Sequence, residues 1–223
     1  MNLRQLNPSY FWRYNVQRTF HRAHPEAPLV VANAVIILDN WLKPEDRGIE
    51  FGSGRSTTWL ASRLAHLTSV EHDPQWYKIV QQRIAERNLS DKIDYRLVEA
   101  DGEQLNEPRD HPYAAVADEF TDESLDLAVI DGQMRLRCLE RVLAKLKPGG
   151  LLVLDGANRY LPNRFEGGHT TIQVKRNQPL TDEWKQALDK LSAWRSMNTS
   201  DGLWDTRLWV KQESTIPEQD QAS

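Results

Sequence analysis

Two hydrophobic rhythms take turns along this chain. Short, nearly continuous apolar runs fall at residues 48–51, 68–71, 93–98, 125–130 and 151–154. Runs of that length and character predict buried β-strands. Between them lie stretches with apolar residues three and four apart. The clearest covers residues 74–88, with Trp76, Tyr77, Val80 and Ile84 on one face. Residues 29–42, 56–67 and 134–146 read the same way and predict helices. Five apolar strands separated by helices predict a doubly wound α/β fold, with a mostly parallel sheet covered on both faces.

The pattern changes at both ends. Residues 1–27 group Tyr10, Phe11, Trp12, Tyr14 and Phe20 near helical spacing, before Pro25 and Pro28 break the run. They predict a helical appendage whose aromatics border a pocket or a homodimer interface. Residues 102–123 and 158–178 are polar and read as loops, and Pro148-Gly149-Gly150 reads as a tight turn. A helix over 181–191, capped by Thr181, is expected next. Residues 194–198 and 206–211 flank Ser200-Asp201-Gly202 and predict an antiparallel hairpin at the sheet edge. The main domain is therefore expected over 28–213, with a disordered tail at 214–223.

Composition narrows the functional classes. The net charge of the 223 residues is −4, so no basic surplus is present to attract nucleic acid or anionic lipid. The longest apolar stretch, 29–42, carries Asn33, Asp39 and Asn40 and is too short to span a bilayer. A single cysteine, Cys138, excludes an internal disulfide and suits a reducing compartment. A cytoplasmic location is the expectation. The eight tryptophans are scattered and read mainly as packing residues.

Candidate chemistry gathers at the predicted strand ends. The first strand runs into Glu50-Phe51-Gly52-Ser53-Gly54, and small residues between a strand and a helix let a ligand approach backbone N–H groups. A dinucleotide fingerprint would place Gly or Ala at the third small position, where Thr57 stands. Glu50 suits the ammonium of a methionine moiety better than a pyrophosphate. The second strand ends at Glu71, a carboxylate able to accept both hydroxyls of a ribose. Asp73-Pro74 behind it predicts a helix cap. Asp131 and Asp155 end the fourth and fifth strands, at the edge where open α/β sheets bind ligands. Arg135, Arg137, Arg159 and Arg164 lie close by in sequence and are candidates for an anionic substrate. His169 is a further candidate on a loop, and Cys138 reads as core.

Taken in order, four segments resemble the class I S-adenosylmethionine-dependent methyltransferases. They are Glu50-Phe51-Gly52-Ser53-Gly54, Ser69-Val70-Glu71-His72-Asp73, Leu127-Ala128-Val129-Ile130-Asp131-Gly132 and the run from Leu146 through Pro148-Gly149-Gly150 to Leu154. The resemblance covers about residues 45–211 and implies a seven-stranded Rossmann-like sheet ending in the antiparallel hairpin. It implies S-adenosylmethionine as cofactor. Glu50, Gly52, Ser53 and Gly54 would hold its methionine end, Glu71 its ribose, and His72, Asp101 and Gly102 its adenine. Asp131 would also contact the cofactor, and Asp131 and Asp155 would serve as catalytic residues toward a small-molecule or glycan acceptor, with oxygen the preferred target.

Metal-dependent members of that family carry Asn or Asp directly after the acidic residue of the fifth strand. Here Gly156 follows Asp155 and the nearest amide is Asn158, so a divalent metal is not favoured and metal-free chemistry is expected. The competing readings are a nicotinamide-dependent oxidoreductase, against which Thr57 and the hairpin count, and a non-catalytic module that binds the same cofactor.

Overall fold

A computed structural model of the protein describes residues 8–100, 108–162 and 178–213. Its centre is a seven-stranded sheet of order β3-β2-β1-β4-β5-β7-β6. The strands are β1 (Arg47–Phe51), β2 (His66–Glu71), β3 (Ile93–Leu97), β4 (Leu125–Ile130), β5 (Leu146–Leu154), β6 (Arg195–Ser200) and β7 (Asp205–Val210). β1 to β5 run parallel, while β7 is antiparallel to both β5 and β6.

Period-two alternation sends successive side chains to opposite faces. Ala128, Ile130, Leu152, Leu154 and Trp209 enter one core, and Leu127, Val129, Leu151, Val153 and Leu208 enter the other. The first core is closed by Tyr113 of α5 (Pro112–Ala115), Leu136 and Leu139 of α6 (Arg135–Lys145), and Trp184 of α7 (Asp182–Lys190). The second is closed by Leu38 of α2 (Ala32–Trp41), Trp59 and Leu60 of α3 (Arg55–Ala61), and Val80 and Ile84 of α4 (Pro74–Glu86). Preceding these is α1 (Pro8–Ala23), whose Phe20 packs against the second core and whose Gln17 donates to the Val30 carbonyl at 3.1 Å.

The caps read from sequence are present. Asp73 accepts the Gln75 and Trp76 amides at 2.7 and 2.8 Å, and Thr181 accepts the Trp184 amide at 3.3 Å. Three elements differ from expectation. The helix expected over 56–67 ends at Ala61, because Ser62 bonds back to the Trp59 carbonyl and the Arg63 and Leu64 amides turn onto Leu60. Leu64 and Leu67 are core residues of a turn and a strand instead. Pro148-Gly149-Gly150 forms a bulge inside β5, where the pairing jumps from Leu125↔Leu146 to Leu127↔Leu151 and Gly149 sits at φ +80°. The polar stretch before β4 contains α5, which carries the fully buried Tyr113. The expected loop at 158–178 lies mostly outside the described residues, and the tail at 214–223 entirely so. No helix among the described residues is long and apolar enough to cross a membrane.

Candidate cofactor and acceptor site

The C-terminal ends of β1, β2 and β4 meet around a cavity of about 300 Å³ lined by Gly52, Ser53, Glu71, His72, Asp73, Trp76, Asp131 and Gly132. Two glycines let these strand ends approach. Gly52 sits at φ +93°, and a Cβ there would fall 2.5 Å from the Gly132 nitrogen. A Cβ on Gly132 would fall 2.2 Å from the Tyr113 hydroxyl. At Gly54, by contrast, a Cβ would meet nothing within 4 Å. The turn is thus closed on its sheet side and open at Gly54, as a backbone that receives a ligand needs to be.

Glu71 is buried at the end of β2 and filled with donors. Its Oε2 accepts the Ser53 amide at 3.0 Å and the Ser53 hydroxyl at 2.5 Å. Its Oε1 accepts the His72 and Asp73 amides at 2.8 and 2.9 Å. Burial pushes this carboxyl up, but the bonds from His72, Asp73 and Ser53 together outweigh it and hold the pKa at about 2. Ser53 is the hub of the turn. Its hydroxyl also meets the Tyr95 hydroxyl at 2.7 Å, and its carbonyl accepts the Trp76 indole N–H at 2.9 Å. Tyr95 in turn stacks on Tyr77 at 4.4 Å.

Glu50 lies beneath, fully buried. Its Oε2 accepts the Thr57 and Ser69 hydroxyls at 2.6 and 2.7 Å, and Thr57 also receives the Gly54 amide at 2.9 Å. The other oxygen, Oε1, is buried without a hydrogen-bond partner. Burial raises this carboxyl's pKa. An unsatisfied buried carboxylate oxygen calls for a cation or donor. These residues therefore fit a cofactor with an ammonium at one end and a vicinal diol further along.

On the acceptor side, Asp131 is half-buried, and Asp155 ends the neighbouring strand, its amide donating to the Ile130 carbonyl at 3.1 Å. Arg135 is buried and spans the strand ends. It donates to the carbonyls of Asp131 at 2.8 Å, Gly132 at 3.0 Å and Asp155, and reaches Asp131 Oδ1 at 3.2 Å. This overturns its candidacy for an anionic substrate, because it is buried and its donors go to three carbonyls and the Asp131 carboxylate. Arg137 is likewise buried, paired with Glu140 and Glu183. Arg159 lies over the ring of Tyr160. Arg164, His169, Asp101 and Gly102 lie outside the described residues. Cys138 is buried core.

Among the described residues the two carboxylates are joined by no third metal-ligating side chain. Asp155 Oδ1 is taken by the Thr206 hydroxyl at 2.5 Å. The Asn158 amide donates to the Leu203 carbonyl and accepts the Asp205 amide. Among the described residues no group of three or more His, Cys, Asp or Glu is placed to hold an ion.

Sequence reasoning missed Trp76, Tyr95, Gln133 and Thr206. Gln133 meets Nε2 of the cavity residue His72 at 3.3 Å. None of the four belongs to a recognisable motif; each reaches the site through tertiary packing.

Residues 49–157 match a family model described as a methyltransferase domain. Those residues carry a methyltransferase domain, whose cofactor is S-adenosylmethionine. The fold agrees across solved structures. The methyltransferase is 18% identical to a protein described as an O-methyltransferase from Klebsiella pneumoniae, covering 92% of this chain and 90% of that one at a TM-score of 0.54. An rRNA methylase from Streptococcus thermophilus is 14% identical over 80% and 93%, with a TM-score of 0.53. A protein described as a methyltransferase from Streptococcus mutans, solved with S-adenosylhomocysteine, is 13% identical over 79% and 94%, with a TM-score of 0.50. At these identities the likeness carries the fold. No curated protein matches the sequence.

Proposed function

We propose that this methyltransferase methylates a hydroxyl oxygen of a small-molecule or glycan acceptor without a metal ion. The observation that carries the reading is the placement of Asp131 on the same cavity as Glu71 and the glycine turn. A carboxyl there lies beside the cofactor site and can take the proton of an acceptor hydroxyl.

In this reading Glu50 Oε1 and the Gly52-Ser53-Gly54 backbone hold the methionine end of the cofactor. Glu71 holds the ribose, and His72 borders the adenine, with Asp101 and Gly102 proposed to complete that end. When bound, S-adenosylmethionine supplies an electrophilic methyl on a sulfonium. The protein's part is to orient the acceptor, exclude water and receive its proton. The net charge of −4 favours a small acceptor over RNA, although one structural neighbour is described as an rRNA methylase. The segment before α2, which borders β7 through the Val31 amide on Thr206, is proposed to shape the acceptor pocket.

Incubating the protein with methyl-labelled S-adenosylmethionine and fractionated lysate tests this directly. Label is expected in small-molecule or glycan fractions as a base-stable methyl ether, and a base-labile methyl ester would move the acceptor from a hydroxyl to a carboxylate. Label confined to RNA would overturn the acceptor assignment. Glu71→Ala should weaken S-adenosylhomocysteine by about 1–3 kcal/mol, and unchanged affinity would remove the ribose assignment.

A further inference from the structure

The amino-acid end of S-adenosylmethionine is a zwitterion, and Glu50 meets only half of it. Glu50 Oε1, buried and unpartnered, suits the ammonium. The α-carboxylate beside that ammonium must leave water as well, and a desolvated carboxylate needs a cation or several donors.

Two arginines near the strand ends are already engaged. Arg135 gives its donors to three carbonyls and Asp131, and Arg137 is paired with Glu140 and Glu183. Arg55 differs from both. It follows Gly54 directly, opens α3 and is half-buried, yet its guanidinium makes no hydrogen bond or ion pair among the described residues. Five N–H donors on a partly desolvated cation ordinarily find acceptors. Unspent, they call for an anionic ligand.

The surroundings say where that anion would sit. A Cβ on Gly54 would meet nothing within 4 Å, so the backbone next to Arg55 faces open space. Gln17 of α1 donates to the Val30 carbonyl at 3.1 Å and meets His21 Nε2 at 2.9 Å. Burial lowers the pKa of His21, and the Arg55 charge lowers it further, which puts the guanidinium on the α1 side of the turn. Asp201 acts on His21 in the other direction without pairing to Arg55, and its Oδ1 accepts the Leu203 and Trp204 amides at 2.7 and 2.8 Å.

We propose that Arg55 receives the α-carboxylate of the cofactor, so that Glu50 and Arg55, at the two ends of the Gly52-Ser53-Gly54 turn, read both charges of the amino-acid end. The inference rests on the reading of Glu50 and the turn as the methionine end of the site. A guanidinium suits the task because its planar fork can meet both carboxylate oxygens at once, where an ammonium offers a point charge. The consequence is selectivity. A ligand with the ammonium but no carboxylate would bring a second positive charge next to Arg55 without compensating it. The site therefore discriminates against the decarboxylated cofactor, by the charge of Arg55 as much as by shape.

Calorimetry with three ligands tests the assignment without turnover. S-adenosylhomocysteine carries both charges, 5′-(3-aminopropylthio)-5′-deoxyadenosine keeps the ammonium alone, and 5′-methylthioadenosine has neither. Wild type should bind S-adenosylhomocysteine about tenfold or more tighter than the amine. Arg55→Met should weaken S-adenosylhomocysteine by about tenfold or more, leave methylthioadenosine within about threefold, and leave the amine unchanged or tighter. Arg55→Lys should recover part of the loss. The urea midpoint of Arg55→Met should match wild type, since the guanidinium has no protein partner to lose. Equal losses for all three ligands would make Arg55 a structural support of the turn and overturn the proposal. Unchanged affinity for all three would also overturn it, and loss of glucuronate binding to the S-adenosylhomocysteine complex would then assign the guanidinium to an anionic acceptor. If wild type favours neither charged ligand over methylthioadenosine, the methionine-end reading itself falls and takes the proposal with it. If that preference exists and survives Arg55→Met, Arg55 alone is misassigned.

Discussion

Ser53 gives both its amide and its hydroxyl to one oxygen of Glu71, at 3.0 and 2.5 Å. The carboxylate proposed to receive the ribose diol is therefore already satisfied by the protein. A diol can displace the Ser53 hydroxyl, which retains Tyr95 as a partner at 2.7 Å, while the Ser53 amide bond stays. Ser53 thus acts as a placeholder that keeps a buried carboxylate from standing unpaired.

Ser53→Ala should separate these roles. The folded state loses a hydrogen bond to a charged group, about 1.5–3 kcal/mol, measurable by urea denaturation. Affinity for S-adenosylhomocysteine should be unchanged or tighter, because no hydroxyl competes for Glu71. A large loss of affinity with no loss of stability would show that Ser53 binds the cofactor through its side chain.

Glu71 also makes stability depend on acid. Its folded pKa is about 2 against 4.5 in the unfolded chain, so the folded state favours the ionised form. The contribution, on the order of 3 kcal/mol, is fully present above pH about 4.5 and is lost as pH falls toward 2. Glu71→Gln should flatten the acid limb of a Tm-against-pH curve. An unaltered acid limb would mean that the donors from Ser53, His72 and Asp73 do not hold the charge.

The two glycines of the turn should fail in different ways. Gly52→Ala places a Cβ 2.5 Å from the Gly132 nitrogen at φ +93°, and should cost at least about 2 kcal/mol of stability. Gly54→Ala has open space around the new Cβ and extended φ, so unfolding should move by less than about 0.5 kcal/mol. Its S-adenosylhomocysteine affinity should fall by about tenfold or more, since the open side is where the ligand approaches. Equal destabilisation of both variants would refute the asymmetry.

Glu50 offers a stability–function exchange. With Oε1 buried and unpartnered, the ionised carboxyl is held at a cost in the free protein. Glu50→Gln removes the charge at nearly constant shape, so the free protein should melt higher at neutral pH. The ammonium of S-adenosylhomocysteine would lose a charged partner, about 1.5–3 kcal/mol in calorimetry. If binding is unaffected, Glu50 is structural and the methionine end is held elsewhere.

Much of the fold was legible because the strands are buried on both faces and read as continuous apolar runs, such as Leu125 to Ile130 and Leu151 to Leu154. The boundary between α3 and β2 was not, since Leu64 and Leu67 continue the apolar pattern through a turn that Ser62 makes locally. Tyr113 escaped notice because its polar, proline-bearing surroundings hide one fully buried ring. In the site, Glu50, Glu71, Asp131 and Asp155 announced themselves as lone acids at strand ends. Their governors did not. Tyr95 reaches Ser53 across 42 residues, and Thr206 reaches Asp155 across 51, so their roles exist only once the sheet has formed. Arg135 was visible as a cation but misread, because only packing reveals that its donors end on three carbonyls.

Asp131 carries the last and most discriminating prediction, because its stability and activity effects have opposite signs. Burial and the Asp155 charge raise its folded pKa well above the unfolded value. Between those two values the folded state holds a proton that the unfolded state has lost. Stability therefore falls as pH rises through that window, by at most about 1.4 kcal/mol per pH unit for one proton. Access of the side chain to the cavity reduces the slope below that ceiling. Asp131→Asn keeps the shape but has no proton to release. Its stability should depend less on pH and exceed wild type near neutrality. Turnover with a genuine acceptor should meanwhile drop by about 10²–10⁴, with S-adenosylhomocysteine affinity little changed. Denaturation at several pH values and a single-turnover assay check the two halves independently. A variant that is more stable but fully active would leave Asp131 a buried acid of the fold and send the search for the base to other residues. A variant that is inactive but no more stable would keep the catalytic assignment and remove the resting proton.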